Sequence, residues 1–124
     1  MIERIEDMPV GTIGLRASGK LSVEDYRNVL EPALEDAAAA GAIRLVFVLT
    51  EFEGLAPGAW VEDVKTGLRA WIRNHDAWKR MALVTDVEWV AKAMRAFAWM
   101  APGEVRVLGL DELEEAKAWV AADI

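Results

Sequence analysis

Ile43-Arg44-Leu45-Val46-Phe47-Val48-Leu49 is the stretch on which the fold turns. Apolar, β-favouring residues occupy both parities of the run, the pattern of a central parallel strand buried on both faces rather than of a strand with one wet side. Such a strand needs covering elements, and its flanks supply them. Upstream, Ser22 stands three residues before Asp25 as an approximate capping box, and Val23, Tyr26, Leu30, Ala33, Leu34 and Ala37 recur at helical spacing up to Gly41. Pro32 inside that helix removes a backbone donor and predicts a bend. Further upstream, Ile2 to Asp7 and Thr12 to Ala17 alternate around Pro9 and Gly11, which predicts a β-hairpin with one buried face.

Downstream, Thr50-Glu51-Phe52-Glu53-Gly54 reads as a loop, and Pro57 suits the first turn of a second helix running to about Asn74. Lys79 to Thr85 reads as a fourth strand. Thr85 and Glu88 are spaced as a capping box for a third helix through about Trp99, which Pro102-Gly103 ends. Val105 and Val107 alternate with Arg106 in a fifth, edge strand, and Asp111 with Glu114 caps a last helix carrying Leu113, Ala116, Trp119 and Val120. The order β-β-α-β-α-β-α-β-α predicts an α/β domain: a mixed, mostly parallel five-stranded sheet joined by right-handed crossovers and packed with four helices. In open sheets of this kind, ligands meet the carboxyl ends of the strands. Here that rim comprises Thr50 to Pro57, Thr85 to Asp86, and Gly109 to Asp111.

A chain of 124 residues, 54% hydrophobic and 28% charged, fits one domain over 1–124. No uninterrupted apolar run approaches the roughly 20 residues that span a bilayer. The first residues, Met1-Ile2-Glu3-Arg4-Ile5-Glu6-Asp7, hold no signal-peptide core, and there is no Cys, so a cytoplasmic location is expected. The net charge of −7 is the wrong sign for a phosphate backbone, which argues against nucleic acid as a partner. It is also unevenly spread: residues 65 to 95 carry +4, leaving −11 elsewhere, so different faces meet different partners or simply keep the domain soluble.

Four phrases, together with the order of elements, resemble the SpoIIAA-like proteins: Gly19-Lys20-Leu21-Ser22-Val23-Glu24-Asp25-Tyr26, Phe52-Glu53-Gly54, Val84-Thr85-Asp86-Val87-Glu88-Trp89 and Pro102-Gly103-Glu104-Val105-Arg106. These are small bacterial domains related to the STAS anti-sigma-factor antagonists, with a fold likened to the lipid-binding CRAL-TRIO domains. The resemblance spans essentially the whole chain and speaks to fold more than to activity. Antagonists of the related group carry a phosphorylatable Ser at the start of the helix after the third strand. Here no Ser lies between Ile43 and Trp60, and the one hydroxyl is Thr50, followed by Glu51, so Thr50 reads as a strand-end or capping residue.

No reaction centre emerges. The single His75, in the polar turn Asn74-His75-Asp76, has no Cys or Ser partner pattern, and one His without Cys makes none of the usual zinc ligand sets. Gly11, Gly14 and Gly19 fall in a hairpin rather than a strand-to-helix turn, so neither a nucleotide nor any other cofactor is expected. Glu62-Asp63 and Glu114-Glu115 are neighbours in helices whose side chains point apart.

The unusual feature is six tryptophans: Trp60, Trp71, Trp78, Trp89, Trp99 and Trp119. Indole suits places where one end is greasy and the other wet. With successive residues of the second helix turned by about 100°, Trp60, Trp71, Val64 and Leu68 share one side of the helical wheel, while Lys65, Arg69 and Arg73 follow one another beyond its edge. An apolar stripe edged by bases suits a helix lying in a membrane interface, and equally an ordinary core helix with a solvated edge. Gly54, Pro57, Gly58 and Gly67 permit hinging, and the next helix ends in Phe97-Ala98-Trp99-Met100-Ala101. A non-enzymatic module follows, binding a small hydrophobic ligand or a membrane surface through a movable helix 57–74, with Trp60, Val64, Lys65, Leu68, Arg69, Trp71, Arg73, Phe97, Trp99 and Met100 at the site. The alternative is a STAS-like regulator that meets a protein partner through Thr50, Glu51, Phe52, Glu53 and Asp86. A homodimer is also expected, because sequentially ordered strands tend to put helices on one side and leave a sheet face to be covered.

Overall fold

The structure, a computed structural model, describes residues 1–55, 76–100 and 103–122. Strand β1 (Ile2–Arg4) runs antiparallel to β2 (Ile13–Leu21), and β3 (Ile43–Leu55), β4 (Trp78–Thr85) and β5 (Glu104–Leu108) add in parallel. The spatial order is β1-β2-β3-β4-β5, with β5 at an edge as expected. Helix α1 comprises an α-turn Val23–Asp25, a π-helical stretch Tyr26–Leu30 and an α-helical run Glu31–Ala39. Helix α2 (Glu88–Phe97) continues into the 3₁₀ turn Ala98–Met100, and α3 (Leu113–Ala121) follows the 3₁₀ turn Leu110–Glu112. The expected helix over 57–74 and His75 lie outside the described residues, which contain three of the four helices.

The unbroken apolar run of β3 has a direct cause. Ile43, Leu45 and Leu49 enter one core with Leu15, Tyr26, Leu30, Ala33 and Leu34, whereas Val46 and Val48 enter a second core with Ala82, Val84, Ala116 and Val120. Successive side chains of a strand point to opposite faces, so one strand serves both cores. Helix α1 therefore covers one face and α3 the other. The expectation that sequential strand order would leave helices on one side is corrected here: around β3 and β4 the second face is occupied by α3. Over β3 and β4 that side is therefore not a bare face, and the homodimer stays an expectation.

At the start of α1 the capping box is present, with the Asp25 N–H donating to Ser22 Oγ at 3.3 Å and the Ser22 N–H donating to Asp25 Oδ2 at 2.9 Å. Partial burial pushes the Asp25 carboxyl up, but the Ser22 N–H and hydroxyl and the Met1 amino group outweigh it and hold it below the usual 3.8. The bend expected at Pro32 takes the form of the π-turn: the Glu31 N–H donates to the Tyr26 carbonyl, and Pro32 follows with no N–H to give.

Three local expectations need correction. Thr50 to Gly54 is not a loop, because β2 extends to Leu21 and supplies a ladder that carries β3 to Leu55. Thr85 does not cap α2; it ends β4, and its hydroxyl accepts from the Val87 N–H at 3.1 Å. At the last helix Glu112, rather than Glu114, makes the return contact, accepting from the Gly109 N–H at 2.9 Å, since a 3₁₀ turn precedes α3.

The last turn of α3 is held by arginines from the sheet. Arg44 Nη1 donates to the carbonyls of Val120 (2.9 Å) and Ala122 (2.7 Å), and Arg80 Nη1 to that of Trp119 (2.7 Å). Carbonyls at a helix end lack intrahelical donors and carry partial negative charge, so guanidinium is the fitting partner. The guanidinium carbons of Arg80 and Arg106 lie 5.1 and 4.9 Å from the Trp119 ring centroid.

Candidate functional site at the carboxyl rim of the sheet

The parallel strands β2 to β5 present their carboxyl ends on one rim, and two constructions stand there. The first is the irregular end of the β2–β3 ladder. Ser18 pairs with Thr50, Gly19 with Phe52 and Lys20 with Gly54, so Glu51 and Glu53 are each passed over by the register. Glu51 has a φ of 50°, which among the described residues makes it the one non-glycine in the left-handed region. That conformation costs a side-chain-bearing residue about 1–2 kcal/mol. Gly19 opposite has a φ of 68°, and a Cβ there would lie 3.3 Å from Glu53 Oε2. Both glutamates are exposed, and Thr50 is half-buried within the strand. Such bulges re-aim side chains at sheet margins.

The second construction is an open cleft of about 490 Å³ between α2 and the end of β5. Ala91, Val107, Leu108 and Gly109 contribute lining, and four charged residues edge it: Asp86, Glu88, Lys92 and Arg95. All four are exposed. They sit there because the β4–α2 turn, pinned by the Thr85 hydroxyl, delivers Asp86 and the first turn of α2 to the rim. Ala91 is buried at the floor of the cleft, and on the opposite face of α2 Val90 packs against the first core. Beyond Arg95, the 3₁₀ turn carries Trp99, which is 80% exposed; Trp89 is 59% exposed.

Of the residues expected to form a ligand or membrane site, Trp60, Val64, Lys65, Leu68, Arg69, Trp71 and Arg73 lie outside the described residues, as do the side chains of Phe97 and Met100. Trp99 stands exposed at the helix end. Of the residues expected to meet a partner, Thr50, Glu51 and Glu53 share the β3 end, with the Phe52 side chain outside the described residues, while Asp86 belongs to the cleft. Sequence reasoning found the rim loops but missed Lys92 and Arg95 as site residues. The available signal was the series Glu88, Lys92, Arg95, Trp99, spaced to fall on one helical face. Among the described residues no group of three or more His, Cys, Asp or Glu is placed to hold a metal ion. Nor, among them, is any helix long and apolar enough to cross a membrane.

Fold and rim together define an α/β domain with a two-sided core and a rim formed by the carboxyl ends of parallel strands. The SpoIIAA-like family model matches residues 12–121, and the chain belongs to that family. Among solved structures it is similar to an uncharacterized protein from the DUF3478 family with a SpoIIAA-like fold from Shewanella loihica PV-4. The two share 28% identity with a TM-score of 0.75 over 97% of this chain and 94% of that one. No curated protein matches it.

Proposed function

We propose that this SpoIIAA-like domain is a non-catalytic module that associates weakly with a membrane surface or takes up an amphiphilic small molecule at its carboxyl rim. The supporting observation is Trp99, 80% exposed in the turn that ends α2, four residues past Arg95 of the cleft. Burying so large an indole would recover about 25 cal/mol per Å² of apolar area, and tryptophan partitions to the level where headgroup meets acyl chain. The Trp- and base-bearing segment 57–74 is part of the proposal on its sequence pattern. The test is native mass spectrometry with lipid extraction on gently purified protein, paired with co-sedimentation on vesicles of mixed zwitterionic and anionic lipid at low salt. Vesicle pelleting that falls about fivefold or more in Trp99→Ala is the expected result. A bare-chain mass together with no pelleting overturns the proposal.

A second reading, a STAS-like regulator that grips a protein partner, is favoured by the end of β3, where two exposed glutamates are passed over by the register and one is held left-handed. Strain of that kind gathers at functional positions. On this reading a partner captured from the native host by the parent protein is lost to Glu51→Arg/Glu53→Arg. A capture indifferent to both substitutions removes the support.

A further inference from the structure

The α2 cleft has an ordered charge layout. Glu88, Lys92, Arg95 and Trp99 follow one another at i, i+4, i+7 and i+11, which at about 100° per residue places them within one narrow stripe of the helix and its continuation. Asp86 joins Glu88 at the first end. Along about 16 Å of axis, at about 1.5 Å per residue, the stripe passes from acids to bases to an exposed indole. Among the described residues none of the four charges has a hydrogen-bond or ion-pair partner, although Glu88 and Lys92 are spaced to pair with each other. The two ends of the row thus stand open to charges supplied from outside.

We propose, resting on the membrane reading above, that this cleft receives the zwitterionic headgroup of a bilayer phospholipid. The phosphate lies at Lys92 and Arg95, the ammonium on its two-carbon bridge lies at Asp86 and Glu88, and Trp99 sits at the acyl boundary. The sequence of charges matches that of the lipid read from its water-facing end inward, and the cleft volume of about 490 Å³ accommodates a headgroup. The occupant is a zwitterionic surface rather than an anionic one. Two bases alone would favour anionic lipid, but the two acids beside them and a net charge of −7 repel it.

The test is co-sedimentation of the full chain with phosphatidylcholine vesicles and, separately, phosphatidylglycerol vesicles. The expected result is preference for phosphatidylcholine. Lys92→Glu/Arg95→Glu and the milder Lys92→Gln/Arg95→Gln each weaken that binding about tenfold or more, with unchanged circular dichroism, while Asp86→Lys/Glu88→Lys turns the preference to phosphatidylglycerol. Wild-type preference for phosphatidylglycerol, or phosphatidylcholine binding indifferent to the Lys92 and Arg95 substitutions, overturns the headgroup assignment and leaves the membrane reading standing. Absence of binding to either vesicle sinks both. Soluble glycerophosphocholine perturbing the Lys92 and Arg95 amide resonances without any vesicle binding would assign the cleft to a free zwitterion and overturn the bilayer as its source.

Discussion

Lys117 is 6% exposed, and its ammonium lies 3.1 Å from Asp7 and 3.1 Å from Glu114, so a single side chain ties the loop after β1 to α3. The hydrogen bond with Asp7 holds the ammonium above its usual 10.5 against the opposing effect of burial, and the same bond chiefly holds the Asp7 carboxyl below 3.8. A carboxyl lowered on folding contributes stability above its unfolded pKa and loses it as pH falls through the folded value. An ammonium raised on folding contributes below its unfolded pKa and loses it as pH climbs through the folded value. Urea midpoints of the parent and of Lys117→Met are therefore expected to differ between about pH 5 and 10 and to converge below about pH 3. A gap that persists in acid would mean that the tether works through packing of the lysine stem rather than through charge. Nothing in the sequence pointed to this contact, because Asp7 and Lys117 are brought together only once α3 has crossed to the second face.

The π-turn in α1 is an element-scale device. It places one extra residue between Tyr26 and the buried set Ala33, Leu34 and Ala37, and Asn28 within it is exposed. Deleting Asn28 should convert the stretch to plain α-helix with both buried faces kept, so cooperative thermal unfolding survives with a midpoint shifted by a few degrees. Deleting exposed Glu35 rotates Ala37 about 100° away from Ala33 and Leu34 and is expected to abolish cooperative unfolding. Circular dichroism melts of the two deletions decide between these outcomes. The helix itself was legible in its periodicity and in Ser22 and Asp25, and Pro32 announced that something interrupts it. The form of the interruption depends on which residues the sheet buries, which no local pattern states. The end of β3 escaped for a related reason: Glu51, Glu53 and Gly54 have turn composition, and only the extended β2 beside them makes that stretch a strand. The cleft was half legible, since the rim loops follow from strand order, whereas the stripe from Glu88 to Trp99 needed the knowledge that the end of β5 lies beside it.

At the scale of the whole molecule, the chain keeps its strands in the order in which they are written, and each parallel strand neighbours the one before it. Element type and order were readable because every strand after the first pair is followed by a helical pattern, and parallel pairing leaves few alternatives. The arrangement of cover was not, because α3 packs its Ala116 and Val120 on the face opposite α1, against Val46 and Val48. As the polypeptide emerges from the ribosome, each new strand can dock beside one already made, yet the Val46–Val48 side stays bare until the stretch after β5 is translated. The guanidinium of Arg44 likewise waits for carbonyls synthesised more than seventy residues later. The nascent domain therefore passes through a half-clad sheet, a stage at which trigger-type chaperones have greasy surface to hold and premature release invites aggregation.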